Sequence, residues 1–400
     1  MKRGYPTRVV REGLAEIIIP DPDAYRRGDG VYEPAWAPVF YNPRMAFNRD
    51  VAVLVARYVS RRTGRLRVVE PLTGTGVRAI RYALEAGAEA YAADIDPEAA
   101  RLARENAERN GVADRVHVEC CEARLFMEKL SSMISPELID IDPFGSPAPF
   151  LDAALHLSHG RGVIAATATD LAPLTGSRPR PLRRRYMVEA APSHWGKEMA
   201  VRVLAGFIAR RAAAYDYAAR PLLAYYADHY VRVYMELSRG ARRADKVLQE
   251  CIAYAATCPK CGYTEYTSKP CHGARCPYCG AQLGLTGPLY SCSLADVEAL
   301  RDMLRDAEEA TWLAEGGRVV SLFRTLIEEY RVGVKPYYRL DRICSFLHVN
   351  MPKLTILIDE LRSLGYHASR THFDPRGFRT DAPHSVVLSL IPAVAPRPTA

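Results

Sequence analysis

The sequence predicts an α/β protein, a doubly wound and mostly parallel sheet joined to a C-terminal α+β domain that carries a metal module. Three observations lead there. Short apolar runs alternate with helix-period segments between Leu66 and Thr167, the spacing of βαβ units. A glycine-rich turn, Thr73-Gly74-Thr75-Gly76, follows the first of those runs. Most of the ten cysteines lie between Cys251 and Cys292, which sets that stretch apart from the sheet.

A chain of 400 residues is long enough for two domains, and the break is expected near Arg239–Asp245, giving residues 1–240 and 241–400. Apolar residues at 48% and charged residues at 25% exclude wholesale disorder. No uninterrupted apolar stretch approaches a membrane span. The basic start, Lys2-Arg3, precedes only the short run Ile17–Ile19, so no secretory signal is expected and the location predicted is cytoplasmic. The net charge of +8, carried mostly by arginine, suits a polyanionic partner, and nothing marks an obligatory protein partner. Scarcity of amides, five Asn and two Gln, points to a thermophilic source, although lysine is not enriched. In a reducing compartment the cysteines are expected to be mostly thiols or metal ligands, not disulfides.

The first fifty residues, broken by Pro20, Pro22, Gly28, Gly30, Pro34, Pro38 and Pro43, read as an irregular covering segment. A helix over Val51–Tyr58 follows. Leu66–Val69 is a buried strand, Val77–Ala86 a helix stopped by Gly87, and Ala90–Ala93 a second strand ending in Asp94. Asp96 as N-cap, Pro97 in the first turn and Gly111 beyond the end bracket the next helix. Val116–Cys120, Leu138–Ile141 and Gly162–Thr167 are further strands, with a helix over Trp195–Ala213 and a strand pair at Leu222–Tyr226 and Tyr230–Leu237. Helices are expected near Leu294–Ala314 and Val320–Tyr330. In the tail, helices at Leu340–Leu347 and Pro352–Leu364, stopped by Gly365, precede a polar loop through Asp374, Pro375 and Gly377, before Val386–Leu390, and this loop would be the wing. This order predicts a winged helix over about residues 335–392.

The glycine turn lets backbone N–H groups come close to a ligand. Acidic residues stand where such a site needs them: Glu70 at the end of the first strand, and Asp94 at the end of the second, placed to accept both ribose hydroxyls of a nucleoside. A dinucleotide enzyme would want a further glycine where Ala79 stands. The series Glu70-Pro71-Leu72-Thr73-Gly74-Thr75-Gly76 resembles the first motif of class I S-adenosylmethionine methyltransferases (Rossmann-like), with Leu72 where a glycine is common. Glu122-Ala123 fits that pattern's adenine-contacting position. Each acid taken singly is equally suited to capping a helix.

The strand Leu138–Ile141 runs into Asp142-Pro143-Phe144-Gly145-Ser146, placing Asp142 at the carboxyl edge of the sheet, where ligands sit in this architecture. Asp-Pro-Phe resembles the signature of enzymes that methylate exocyclic amino groups. An aromatic amine is a poor nucleophile because its lone pair is delocalised. An acceptor such as Asp142 can hold one N–H and draw off the proton, the Pro143 carbonyl can accept the other, and Phe144 offers a flat face to the base. Elsewhere Asp-Pro is commonly only a turn.

The segments FYNPRMAFNRD, PLTGTGVRAIRYALE, DIDPFGSPAPFLDAA, ATATDLAPLTG and SRTHFDPRGFRTDAP together resemble the tRNA (guanine-26 N2)-dimethyltransferase family in its archaeal form. The resemblance spans about residues 8–385. It implies that S-adenosylmethionine supplies one and then two methyl groups to guanine N2 in tRNA, that Arg49, Arg78, Asp94, Glu122 and Ala123 contact the cofactor, and that Asp142 is the catalytic acceptor. Glu122 stands where aspartate is commoner. A stacked guanine cannot present N2 in place, so the base is expected to be extruded beneath Phe144. Asp170, after the next strand, is suited either to base recognition or to capping its loop.

Cys258-Pro-Lys-Cys261 and Cys276-Pro-Tyr-Cys279 form two Cys-x-x-Cys knuckles, a spacing that predicts structural zinc held by four thiolates within about residues 251–292; Cys271 and His272 are second choices. Arg178, Arg180, Arg183, Arg184 and Arg185, with Arg210, Arg211, Arg239, Arg242 and Arg243, are either solvated faces or phosphate contacts, and Arg370, His372, Arg376 and Arg379 offer a further RNA grip. Two rival readings remain at this point. One is a DNA or RNA adenine N6-methyltransferase; the other is a non-catalytic zinc-containing nucleic-acid binder, which leaves Asp-Pro-Phe unexplained.

Overall fold

The computed structural model describes residues 4–396. It divides into two compact units: one runs to Pro143 and adds Pro149–Ala166 and Asp302–Ser321, the other comprises Phe144–Ala148, Thr167–Arg301 and the chain from Leu322 onward. Among the described residues no helix is long and apolar enough to cross a membrane.

The first unit begins with strands β1 (Thr7–Glu12) and β2 (Ala15–Pro20), paired antiparallel through a turn at Gly13. This hairpin corrects the expectation of an irregular start. Arg8, Val9 and Arg11 are all exposed, so both faces of β1 are largely solvated and no apolar alternation marks it in the sequence. Gly13 has φ +61 and no room for a side chain, because a Cβ there would lie 2.1 Å from the Glu85 carboxylate. Helix α1 (Ala46–Thr63) is longer than the sequence pattern suggested at both ends and stops at Gly64 in the left-handed region.

The βαβ series follows: β3 (Arg67–Glu70), α2 (Val77–Ala86), β4 (Glu89–Asp94), α3 (Pro97–Arg109), β5 (Val116–Cys120), α4 (Ala123–Ser131), β6 (Leu138–Ile141), α5 (Leu151–Ser158) and β7 (Val163–Ala168). These five strands lie in the order β5-β4-β3-β6-β7, every neighbouring pair parallel. The order reverses beside β3, the switch point at which doubly wound sheets open a ligand crevice. Asp96 caps α3 by accepting the Glu98 N–H, and Gly87 ends α2 in the left-handed region, both as expected. Ile17 and Ile19 pack with Ile80, Ala83, Ala90, Ala92 and Val116. The Asn106 side chain fastens the covering strand from above, bonding both the N–H and the carbonyl of Ile18 and the carbonyl of Thr75.

A buried ionic network holds this unit from below. Arg81, fully buried, donates to Glu12 (2.9 Å), Asp50 (2.6 Å) and Glu85 (2.9 Å). Arg49 grips the same Glu12 through Nε and Nη2, and the Tyr41 hydroxyl adds a third donor. Although burial opposes its charge, the two guanidiniums hold the Glu12 carboxyl down at about 2.

In the second unit α6 (Leu171–Leu174), α7 (Pro179–Tyr186) and α8 (Gly196–Ala213) precede the antiparallel pair β8 (Tyr217–Ala227) and β9 (Tyr230–Arg239). Helix α9 (Ala241–Cys251) leads to β10 (Ile252–Thr257), β11 (Thr264–Thr267) and β12 (Gly284–Tyr290), a sheet of order β11-β10-β12. The pairing of Ile252 with Tyr290 brings the flanking Cys251 and Cys292 to a Cα separation of 5.0 Å, and they form a disulfide. This pair is the exception to the expectation of mostly thiols or metal ligands, because strand register places side by side two cysteines 41 residues apart in sequence.

Helices α10 (Val297–Glu309) and α11 (Gly316–Val332) come next. The tail holds β13 (Tyr338–Arg339), α12 (Leu340–Leu347), α13 (Leu354–Ser363), β14 (Ala368–Arg370), β15 (Gly377–Thr380) and α14 (His384–Val394). Its sheet order is β13-β15-β14, and Leu340, Ile343, Leu357, Leu361, Val387 and Ile391 form its core. Two helices are followed by a hairpin whose turn holds Asp374 and Pro375, with Gly377 opening β15; Val386–Leu390, expected alongside the wing, instead lies within helix α14.

Replacing Arg81 with Met leaves Asp50 and Glu85 buried without their cation. The expected loss, about 3–5 kcal/mol, is to be read from denaturant unfolding; a loss below about 1 kcal/mol contradicts a structural role for this network.

Candidate active site

The chain leaves β3 at Glu70 and enters α2 at Val77, so residues 71–76 must turn tightly across the edge of the sheet. Gly74 and Gly76 take φ +54 and +79. At Gly76 a Cβ would lie 2.9 Å from that of Ala103, and at Gly74 one would lie 3.0 Å from the Phe40 carbonyl. Glycine is therefore needed at 76 for the approach of α3, and at 74 the covering segment comes down onto the turn itself. Asp94, at the end of β4, accepts the Gly74 N–H through Oδ2 (2.9 Å) and the Asp96 N–H through Oδ1 (3.0 Å). Its carboxylate is thus oriented at the mouth of the turn, with lone pairs left for the hydroxyls of a ribose.

Glu70 lies beneath the turn rather than in its mouth. It accepts the Thr73 hydroxyl (2.8 Å) and the Ala79 N–H (3.1 Å). Burial, with Asp140 and Asp142 nearby, pushes its carboxyl up to about 8 against the opposing pull of Arg78.

Arg78, only 3% exposed, is the hub of the edge. Its Nη2 donates to Asp142 and its Nη1 to Asn48 (2.9 Å), while Asp140 and Glu70 each stand 3.5 Å from the guanidinium. Parallel pairing of β3 with β6 explains the meeting: Val69 faces Ile139, so Glu70 and the residues after Ile139 end on one edge. Asp140 is fully buried and takes the Tyr82 hydroxyl at 2.5 Å. Asp142 is the partly open member of the group, its side chain 19% exposed.

Two polar atoms at this edge, Asn48 Nδ2 and Thr75 Oγ1, are buried with no hydrogen-bond partner among the described residues. A polar ligand in the turn would satisfy such atoms. Asn48 escaped the sequence reading although it adjoins Arg49 and heads the same helix turn. Arg49 itself is spent mainly on Glu12 and the Asn42 carbonyl. Glu122 acts as the N-cap of α4, accepting the N–H groups of Arg124 and Leu125 (3.0 Å each) and the Arg124 guanidinium (2.9 Å); against some burial, the guanidinium first and the two N–H groups after it hold its carboxyl below the usual range, and Ala123, the first residue of that helix, is buried.

In the other unit, Phe144 opens the Phe144–Ala148 segment and is 72% exposed as a residue. The next residue exchanges two bonds with Thr169: Gly145 N–H to the Thr169 hydroxyl (2.8 Å) and Thr169 N–H to the Gly145 carbonyl (2.9 Å). Asp170 is largely buried and bound to Arg185 and Tyr186, so it is oriented by its neighbours.

Also in that unit, the sulfur atoms of Cys258, Cys261, Cys276 and Cys279 all lie within 4.8 Å of one another, a closed four-thiolate set that fits a structural zinc ion. Cys271 and His272 do not join it. Ala256 and Leu283 pack against the cluster.

A glycine turn between a parallel strand and a helix, with a carboxylate at the end of the neighbouring strand, defines the nucleoside-binding edge of the Rossmann-like class to which the S-adenosylmethionine methyltransferases belong. Residues 16–392 match the family described as TRM, N2,N2-dimethylguanosine tRNA methyltransferase, and the chain belongs to that family. It is 43% identical to a tRNA (guanine(26)-N(2))-dimethyltransferase of Aeropyrum pernix, and 38% identical to that of Metallosphaera sedula, over 96% of both chains in each case. The structure of Trm1 from Pyrococcus horikoshii in complex with S-adenosyl-L-methionine superposes with a TM-score of 0.83 at 33% identity, covering 96% of this chain and all of that one.

Two outcomes follow from this geometry. Glu70 binds a proton more readily in the folded than in the unfolded chain, so its contribution to stability falls as pH rises from about 4.5 through about 8 and is level above. Denaturant unfolding across that window should show Glu70→Gln flattening the decline, and a parallel decline in wild type and variant refutes the assignment. Metal analysis should find one zinc ion per chain, lost in Cys276→Ser. That variant should melt at lower temperature while binding S-adenosylmethionine as before; full metal content in the variant contradicts the four-thiolate site.

Proposed function

We propose that this protein transfers one and then two methyl groups from S-adenosylmethionine to the exocyclic N2 of guanine 26 in tRNA. The observation that carries the proposal is Asp142, fixed by Arg78 at the end of β6, beside the end of β3 and its glycine turn. Family membership and the shared names of the archaeal relatives support the substrate. The cofactor would be held by the turn at Gly74 and Gly76, by Asp94, and by Arg78 and Asn48 beside it. Arg49 and Glu70 act from behind as supports, with Glu122 and Ala123 at the adenine end.

Bound S-adenosylmethionine supplies an electrophilic methyl group on a sulfonium. The chain's own residues prepare the acceptor. Asp142 accepts an N–H of guanine N2, keeps the lone pair aimed away from the ring, and takes the proton as the new bond forms. The Pro143 carbonyl accepts the other N–H in the first transfer. After one methylation a single N–H remains, so Asp142 alone serves the second. Phe144 gives its exposed face to the extruded base.

Residues 1–240 form the catalytic part in this reading. Residues 241–400 form a tRNA-binding part, with zinc on Cys258, Cys261, Cys276 and Cys279 and a winged helix over about 335–392. The exposed arginines of α7 suit phosphate contacts, which act in the cytoplasm as everywhere through charge. Asp142→Ala should retain cofactor affinity by calorimetry and lose methyl transfer by about 10²–10⁴-fold. Turnover near wild type removes Asp142 from the mechanism.

A further inference from the structure

Helix α7 carries four exposed arginines, Arg180, Arg183, Arg184 and Arg185, and is anchored by two buried side chains, Leu182 and Tyr186. Tyr186 is its last residue and fully buried. Its ring meets Phe207 edge-on at 5.5 Å, and its backbone carbonyl accepts a bond from Arg210 (2.9 Å), so the ring has little freedom. The hydroxyl nevertheless makes two polar contacts. It donates to Asp170 Oδ1 (2.8 Å), whose other oxygen is held by Arg185 (2.8 Å), and its lone pair accepts the hydroxyl of Ser146 (2.7 Å). Ser146 lies two residues after Phe144, and Gly145 between them is fixed by the paired bonds to Thr169.

We propose that Tyr186 is a positioning residue, a link from the arginine-bearing helix α7 to the Phe144–Ala148 loop. This deepens the methyltransferase reading and rests on it for its catalytic consequence. The loop has φ +83 at Gly145 and no helix or strand over Phe144–Ser146 to hold it. Two side-chain anchors hold the loop directly after Phe144: Thr169 at Gly145 and the Tyr186–Asp170 pair at Ser146. The second anchor is built on the helix whose outer face is cationic. Phosphates drawn to Arg180, Arg183 and Arg184 steady the helix that holds the loop, and so the aromatic platform is set when RNA is engaged.

Tyr186→Phe removes only the hydroxyl and leaves the ring packing in place. The expected result is a fall in kcat of about tenfold, with KM for tRNA, affinity for S-adenosylmethionine and melting temperature nearly unchanged. Ser146→Ala should do the same. The double variant should be no slower than the slower single one, because both break the same link. Amide hydrogen exchange over residues 144–148 should be faster in Tyr186→Phe and unchanged in Arg180→Ala, whereas Arg180→Ala should raise KM for tRNA. Unaltered kcat, unaltered exchange, or multiplicative effects in the double variant each overturn the link. Should the wild type transfer no methyl to tRNA, the functional reading fails, and the exchange measurement still judges the link by itself.

Discussion

One arginine surrounded by carboxylates organises the carboxyl edge of the parallel sheet. Arg78 faces Glu70, Asp140 and Asp142, three acids that parallel strand pairing forces onto one edge. They cannot share a single cation equally in a low-dielectric pocket. Glu70, the buried supporter of the glycine turn, is pushed up to about 8, and Asp140 has the Tyr82 hydroxyl as a further partner. Asp142 alone combines direct contact with Arg78 and partial exposure. The arrangement assigns different work to three chemically similar groups by burial and hydrogen bonding.

Rules that act over a few residues made much of this legible in the sequence. The glycine turn, Asp94 at a strand end, the Asp96 cap and the two cysteine knuckles depend on local spacing, and the chain folds accordingly. What stayed hidden needs partners far apart in sequence. Arg49 reads as a ligand contact by motif, yet its guanidinium is bound to Glu12, 37 residues away. Arg81 reaches Glu12 across 69 residues. Glu122 illustrates a different ambiguity: a carboxylate at the start of a helix serves as cap and as ligand acceptor with the same oxygens, and only the hydrogen-bond geometry separates the two roles.

The second unit shows the same division. Four cysteines at knuckle spacing were identifiable one by one, whereas the Cys251–Cys292 bond depends on the register between β10 and β12, which no spacing rule supplies. Asp170 had two equally good sequence readings. Its contacts with Arg185 and Tyr186 make it an oriented support and connect it, through Tyr186, to Ser146.

The central claim is that a carboxylate held by Arg78 serves the amine of one guanine. Incubating the purified protein with an unmodified tRNA transcript and isotopically labelled S-adenosylmethionine, then separating the nucleosides by mass spectrometry, tests it most directly. The account predicts labelled N2-methylguanosine followed by N2,N2-dimethylguanosine, both abolished in a transcript with adenine in place of guanine 26. Label on adenine N6, or unaltered incorporation into the substituted transcript, would contradict it.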